Sequence, residues 1–110
     1  MNPDKLKGLL GMAKRAGKLA VGFDSTVYAI KDGESELVFL AADASPRTEK
    51  ECRFAANGSD IVVRCQTMDR AALALAIGAG KPVAVVAVCD AGFAGAIRSY
   101  CTETKEENSL

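Results

Sequence analysis

The sequence has no histidine, no tryptophan and no net formal charge. Among its 110 residues, 14 lysines and arginines balance 14 aspartates and glutamates. Histidine is the only side chain whose ordinary pKa lies near neutral pH, and it is the most frequent general acid or base. Its absence therefore counts against an enzyme. The charge balance counts against a protein that attracts nucleic acid through overall basicity.

Aromatic residues and long apolar runs are also scarce. Four phenylalanines and two tyrosines are too few for the aromatic sheet face by which some modules stack RNA bases. No apolar run reaches the roughly 18 residues of a membrane span, and the N-terminus lacks the apolar segment of a secretory signal. The sequence therefore predicts a cytoplasmic protein without membrane contact, and its length suits one domain.

The four cysteines do not predict a metal site. They are spread along the chain with no Cys-x-x-Cys pair, and no histidine is available as a second ligand type. Isolated cysteines could still converge in space, but buried free thiols acting as small apolar side chains are the better interpretation. No metal and no cofactor are expected. The cysteines are Cys52, Cys65, Cys89 and Cys101.

Short apolar runs alternate with helical patterns over residues 1–101. The runs at 19–21, 37–42, 61–65 and 83–88 are almost wholly apolar, as expected of strands covered on both faces. This alternation predicts an α/β fold, a single-domain α/β/α sandwich of three layers. Residues 102–110 are polar and acid-rich, and they are predicted to form a flexible tail.

Capping residues predict where several helices begin and end. Asn2 can cap the first helix and Gly17 ends it, while Thr67 can cap the fourth helix. Asp43 and Asp90 each follow a strand-like run, where α/β enzymes often place functional groups. Capping of the next helix explains both aspartates better than catalysis does.

Basic residues cluster in the first helix and just beyond it. The first 20 residues hold five basic side chains and one acidic one. Lys7, Gly11 and Lys14 fall in one helical stripe, where Gly11 could let a nucleic-acid backbone approach between the lysines. The alternative is a solvated helix face on which Lys14 and Arg15 complement the helix C-terminus.

The segment from Gly78 to Pro82 hints at a phosphate-binding loop. The full P-loop pattern fails, because Leu75 stands where its first glycine belongs and Pro82 where a serine or threonine would hold magnesium. A tight connection between helix and strand is the better interpretation. Its backbone and Lys81 could still touch a ligand.

Longer segments resemble the bacterial YlxQ-like branch of the ribosomal superfamily that includes kink-turn-binding proteins. The resemblance covers about residues 4–98. It implies a three-layer sandwich with a mixed four-stranded sheet. The segments are 9–18 (LLGMAKRAGK) with Gly22, 29–33 (AIKDG), 37–46 (LVFLAADASP), 73–78 (LALAIG), 85–88 (VVAV) and 90–94 (DAGFA).

The resemblance implies a non-catalytic ribosomal protein that contacts structured RNA, ribosomal or kink-turn-like. The family begins its second helix with glycine-x-asparagine-glutamate and a lysine one turn later, and this chain has Gly22, Asp24, Ser25 and Tyr28 there. Since all three reading side chains are replaced, weak binding of a standard kink-turn is expected. The loop from Gly78 to Val83 would form the other wall of the site. The predicted RNA contacts are Lys7, Lys14, Arg15, Lys18, Gly22, Asp24, Ser25, Tyr28, Gly78, Gly80, Lys81 and Val83.

Two other functions compete with RNA binding. A protein–protein interaction module on the same fold would suit the zero net charge and the replaced reading residues. An enzyme is disfavoured by the absence of histidine, of a metal motif and of a complete phosphate loop. A monomer with structured RNA and ribosome-associated proteins as partners is the expectation.

Overall fold

Within the residues that it describes, a computed structural model of the chain has five helices and four strands. It describes the backbone of residues 3–58 and 60–108 and the side chains of residues 4–58 and 60–101. The element order agrees with the predicted alternation. The elements are α1 Pro3–Arg15, β1 Leu19–Val21, α2 Phe23–Lys31, β2 Leu37–Leu40, α3 Pro46–Ala55, β3 Val62–Arg64, α4 Arg70–Ile77, β4 Val85–Val88 and α5 Ala91–Asn108.

The four strands form one sheet in the order β1-β4-β2-β3. β4 pairs antiparallel with both β1 and β2, whereas β2 and β3 are parallel. The mixed four-stranded sheet is therefore confirmed. Every residue of the central strands β2 and β4 is buried, which explains why these segments carry no polar alternation.

Helices cover both faces of the sheet. α1 contacts α4 and α5, and α2 contacts α3. One core cluster includes Leu6, Leu73 and Ile97 from the first set of helices. A second cluster includes Cys52 of α3 and Ile30 of α2. The predicted α/β/α sandwich is confirmed.

Several helix ends agree with the prediction. Gly17 has φ 75°, and the amide of Lys18 donates to the carbonyl of Ala13 at 2.9 Å; this left-handed turn ends α1. Gly78 ends α4 in the same conformation, with φ 73°. Asp90 caps α5, because its carboxylate accepts from the amide of Phe93 at 2.9 Å.

Two capping predictions are corrected. Asp69, not Thr67, caps α4, and its carboxylate accepts from the amide of Ala72 at 2.8 Å. Asp43 does not cap the helix that follows it. Its carboxylate accepts instead from the amide of Arg70, the first residue of α4, at 2.8 Å. A loop carboxylate thus supports the start of a helix 27 residues further along the chain.

The ends of the chain bear on two further predictions. The proposed cap Asn2 lies outside the described residues. The backbone of α5 continues to Asn108, but the side chains from residue 102 onward are not described. The flexible acidic tail therefore stays a prediction.

The cysteines are free thiols. Cys52 and Cys65 are buried, whereas Cys89 and Cys101 are half-buried. A hydrogen bond from the Cys101 thiol lowers the pKa of Cys65 to about 6, and burial raises the pKa of Cys52.

Candidate nucleic-acid interface

The pairing of β1 with β4 brings two predicted parts of the site to one edge of the sheet. Because the strands are antiparallel, Val21 at the end of β1 lies opposite Val86 near the start of β4. The amide of Gly22 then donates to the carbonyl of Val85 at 2.9 Å. The start of α2 therefore adjoins the segment that leads from Gly78 into β4.

Gly22 holds a backbone conformation that favours glycine. Its φ of 94° and ψ of 169° lie in a region that residues with a Cβ rarely enter. It occupies the N-cap position of α2, and no side chain caps this helix end. Uncapped amides at the positive end of a helix suit an anionic group.

Asp24, Ser25 and Tyr28 line an open cleft of about 600 Å³ between α2 and the edge strand β1. All three side chains are exposed, and Tyr28 is 70% exposed. Together they offer a carboxylate, a hydroxyl and an aromatic ring with a second hydroxyl. The structure thus brings to one surface the three positions that the resemblance matches to the family's reading side chains.

The same cleft contains residues that the sequence analysis missed. Glu34, Cys89 and Gly17 line it together with the three residues of β1. Glu34 directly follows Gly33, the left-handed residue after α2. The end of a helix was visible in the sequence, but only the fold shows that this turn faces β1. Asp24 and Glu34 make the lining acidic.

The basic residues lie beside this cleft rather than in it. Lys14, Arg15 and Lys18 are exposed at the end of α1 and the start of β1. The carbonyl of Lys18 accepts from the amide of Cys89, so Lys18 and Gly22 mark opposite ends of β1, separated by about 13 Å of extended chain. Lys7 lies about 10 Å before Lys14 along the helix. The cations therefore form a band.

Gly11 does not offer an opening to RNA. It is buried, and a Cβ added there would lie 3.1 Å from the carbonyl oxygen of Ala76 and 3.3 Å from Nη1 of Arg15. The glycine instead permits close packing of α1 against α4, and the Arg15 guanidinium lies near the C-terminal end of α4. The prediction that a nucleic-acid backbone approaches Gly11 between Lys7 and Lys14 is therefore wrong.

The loop before β4 has an exposed part and a buried part. Gly78, Gly80 and Lys81 are exposed. Val83 is 7% exposed and belongs to the core, and its amide donates to the carbonyl of Arg70 at 3.2 Å. Its side chain is thus largely withdrawn from solvent, and a contact between Val83 and RNA stays a prediction.

The described part of the chain holds neither a cluster of metal ligands nor a membrane-spanning helix. Over residues 3–58 and 60–108, no group of three or more potential ligands comes together that could hold a metal ion. Within the same residues, no helix is both long enough and apolar enough to cross a membrane.

Comparison with known proteins decides the family. The model of the Ribosomal protein L7Ae/L30e/S12e/Gadd45 family matches residues 4–97. The chain belongs to this family. The predicted resemblance to its bacterial branch is confirmed by two relatives. The chain is 36% identical over 94 residues to the RNA-binding protein YlxQ of Enterococcus faecium, covering 84% of this chain and 87% of the relative.

The second relative is the RNA-binding protein YlxQ of Bacillus subtilis, 37% identical over 91 residues, with 83% of this chain and 89% of the relative covered. A large ribosomal subunit protein of Schizosaccharomyces pombe, eL30B, is 30% identical over 89 residues, covering 81% of this chain and 76% of that protein. These family members are RNA-binding and ribosomal proteins rather than enzymes, in agreement with the prediction of a non-catalytic protein.

Two solved structures support the fold. A protein of unknown function from Bacillus halodurans superposes with a TM-score of 0.77 at 34% identity, covering 86% of this chain and 94% of the other. A 15.5 kD RNA-binding protein of Giardia lamblia superposes with a TM-score of 0.73 at 20% identity, covering 92% and 88%. At that identity the second likeness concerns the fold alone.

Proposed function

We propose that this protein binds structured RNA, ribosomal or similar in shape, and catalyses no reaction. The observation that carries the proposal is the meeting of the uncapped α2 N-terminus with the loop that begins at Gly78, held by the hydrogen bond from Gly22 to Val85. The bacterial relatives named as RNA-binding proteins support it. We also propose that the protein is monomeric and cytoplasmic.

Phosphate contacts are assigned to the band of cations and to backbone amides. Lys14 and Lys18 are exposed beside the cleft, and Lys81 is exposed on the loop. Since neutralising phosphates releases counterions, affinity should fall steeply with salt. The amides at the start of α2 add the positive end of a helix.

Base contacts are assigned to Asp24, Ser25 and Tyr28. The carboxylate of Asp24 accepts hydrogen bonds but donates none, so it suits the N–H groups of a base edge. The ring of Tyr28 is exposed enough to stack on an unpaired base. This chemistry differs from that of the family's asparagine, glutamate and lysine, so a different RNA element is the expected ligand.

The test compares two double variants of equal charge. Lys14→Gln with Lys18→Gln removes two cations from the proposed site. Arg53→Gln with Arg98→Gln removes two from α3 and α5, where Arg53 pairs with Glu49 and Arg98 bonds the carbonyl of Asp60. Binding of purified bacterial ribosomal RNA is measured across a salt series for both variants and the native protein.

The site variant should bind more weakly, with a salt slope lowered by about 0.7–0.9 for each lost contact. The control should keep the native slope. Equal effects of the two variants would mean that binding depends only on the net charge of the protein, and they would overturn the proposed RNA site. Failure of the native protein to bind ribosomal RNA even at low salt would favour the protein-interaction alternative.

A further inference from the structure

The outer face of α2 and α3 exposes aromatic surface to solvent. Phe54 on α3 is 86% exposed, and Phe23, the first residue of α2, is half-buried. Both phenylalanines thus contact solvent, and they lie on neighbouring helices. A phenylalanine this exposed adds little to packing, and clustered exposed apolar surface indicates a binding surface.

Phe54 separates two open clefts. The first, of about 620 Å³, runs along α2 and is lined by Phe23, Val27 and Lys31. The second, of about 530 Å³, runs along α3 and is lined by Pro46, Arg47 and Lys50. Because Phe54 lines both, its ring is accessible from two sides. A flat group could therefore stack on the ring from either cleft.

The charges of this face favour an anion. Lys31 borders the first cleft and Lys50 the second, and neither makes an ion pair or hydrogen bond with any residue that the structure describes. Glu51 lines both clefts, but its carboxylate is paired, since it accepts from Arg47 at 2.8 Å. Glu49 of the same helix accepts from two arginines. The unpaired charge bordering the clefts is thus positive.

The N-terminus of α3, which the Ser45 side chain caps, also lies beside the uncapped N-terminus of α2. A smaller cleft is lined by Phe23 from the first turn of α2 and by Arg47 and Thr48 from the first turn of α3. Both N-termini therefore lie at the same end of the face. Since Phe23 directly follows Gly22, this end continues from the α2 N-terminus assigned to structured RNA above.

We propose that the α2–α3 face binds a single-stranded RNA segment, with a base stacked on Phe54 and phosphates beside Lys31 and Lys50. The inference rests on the proposed function only in taking RNA as the ligand. An aromatic ring flanked by cations is the usual arrangement for sequence-tolerant binding of single strands. An acidic protein segment would use the same cations, but it would need an apolar anchor rather than a flat ring.

The test uses an oligoadenylate of about twelve nucleotides, within the range of known single-strand sites. Its affinity is measured by fluorescence anisotropy at low salt, and the ring signals of Phe54 are followed by NMR. Phe54→Ala should weaken binding about 5- to 150-fold, the value of one stacked base. Phe54→Tyr should keep the native affinity, whereas Phe54→Leu should behave like alanine because it keeps apolar bulk without the ring.

If Phe54→Leu binds oligoadenylate with the native affinity, the side chain acts only as an apolar contact, and the proposed stacking is overturned. Absence of oligoadenylate binding by the native protein would overturn the inference altogether. The Lys14→Gln/Lys18→Gln variant separates the two sites. If it loses ribosomal RNA but keeps Phe54-dependent oligoadenylate binding, both proposals stand. If the native protein binds only oligoadenylate, the structured-RNA site fails and this one stands.

Discussion

Replacement of Gly22 by alanine isolates the backbone conformation on which the start of α2 depends. A Cβ at this position would meet nothing within 4 Å, so steric clash with neighbours contributes no cost. The φ of 94° and ψ of 169° remain, and such a conformation costs a residue with a Cβ about 1–3 kcal/mol. Gly22→Ala should therefore destabilise the protein by that amount.

Gly8 provides the matched control. It lies exposed in the interior of α1, and a Cβ there would also meet nothing within 4 Å. Since alanine is the better helix former, Gly8→Ala should stabilise by about 0.5–1 kcal/mol. With a urea m-value of about 1–3 kcal/mol/M, the two midpoints should separate by roughly 0.5–4 M, in opposite directions from the native one. A Gly22→Ala midpoint at or above the native value would refute the strain argument.

Two further predictions concern the β2–α3 loop and the reading positions. The Arg64 guanidinium donates to the carbonyls of Ala41, Ala42 and Ala44 and to the carboxylate of Glu49. Arg64→Met should therefore lower the free energy of unfolding in urea by about 2–4 kcal/mol. The control Arg47→Met, which removes one partner of an exposed ion pair, should lower it by at most ~0.5 kcal/mol. Hydrogen bonds from Arg64 and Arg53 hold the pKa of Glu49 below its ordinary 4.5, so the stabilisation is present above that pH and is lost as the pH falls through the folded-state pKa. In Arg64→Met, the free energy of unfolding should therefore fall less steeply with decreasing pH. The same decrease in the variant and in the native protein would disprove the role of the Arg64–Glu49 pair. Asp24→Asn, Ser25→Glu and Tyr28→Lys together should raise affinity for a standard kink-turn over a plain duplex, since base contacts are worth about 1–3 kcal/mol each in DNA; tight kink-turn binding by the native protein would contradict this expectation.

The helix ends show where local sequence suffices. Gly17 and Gly78 end helices because a left-handed turn at a helix end favours glycine, and that preference can be identified without a fold. Thr67 and Asp69 are both good caps two residues apart, so local preference could not choose between them. The carboxylate of Asp43 supports α4 across 27 residues, and only the fold shows that contact.

The extent to which each side chain is buried could not be predicted from local sequence either. The spacing of Phe23, Thr26 and Val27 in the sequence predicts that all three lie on the apolar face of the second helix. The structure buries Thr26 but leaves Phe23 and Val27 half-buried, because a periodic stripe shows which side of a helix is apolar but not how far its neighbours extend over it. The prediction for Gly11 was wrong for a related reason. The sequence shows its position between two lysines, but only the fold shows its contact with α4.

Charge is distributed unevenly over the proposed RNA site, and this separates two kinds of contact. Asp24 and Glu34 line the cleft, whereas Lys14 and Lys18 stand beside it. Charges within a Debye length of about 8 Å act on each other at physiological salt, so the two carboxylates oppose the attraction of a phosphate to the α2 amides, and the cations beside the cleft attract phosphates more strongly. A neutral base edge that donates hydrogen bonds meets no such repulsion from the two carboxylates. In the proposed complex, the cations therefore hold the RNA backbone, and the acidic cleft admits bases that carry N–H groups on the exposed edge.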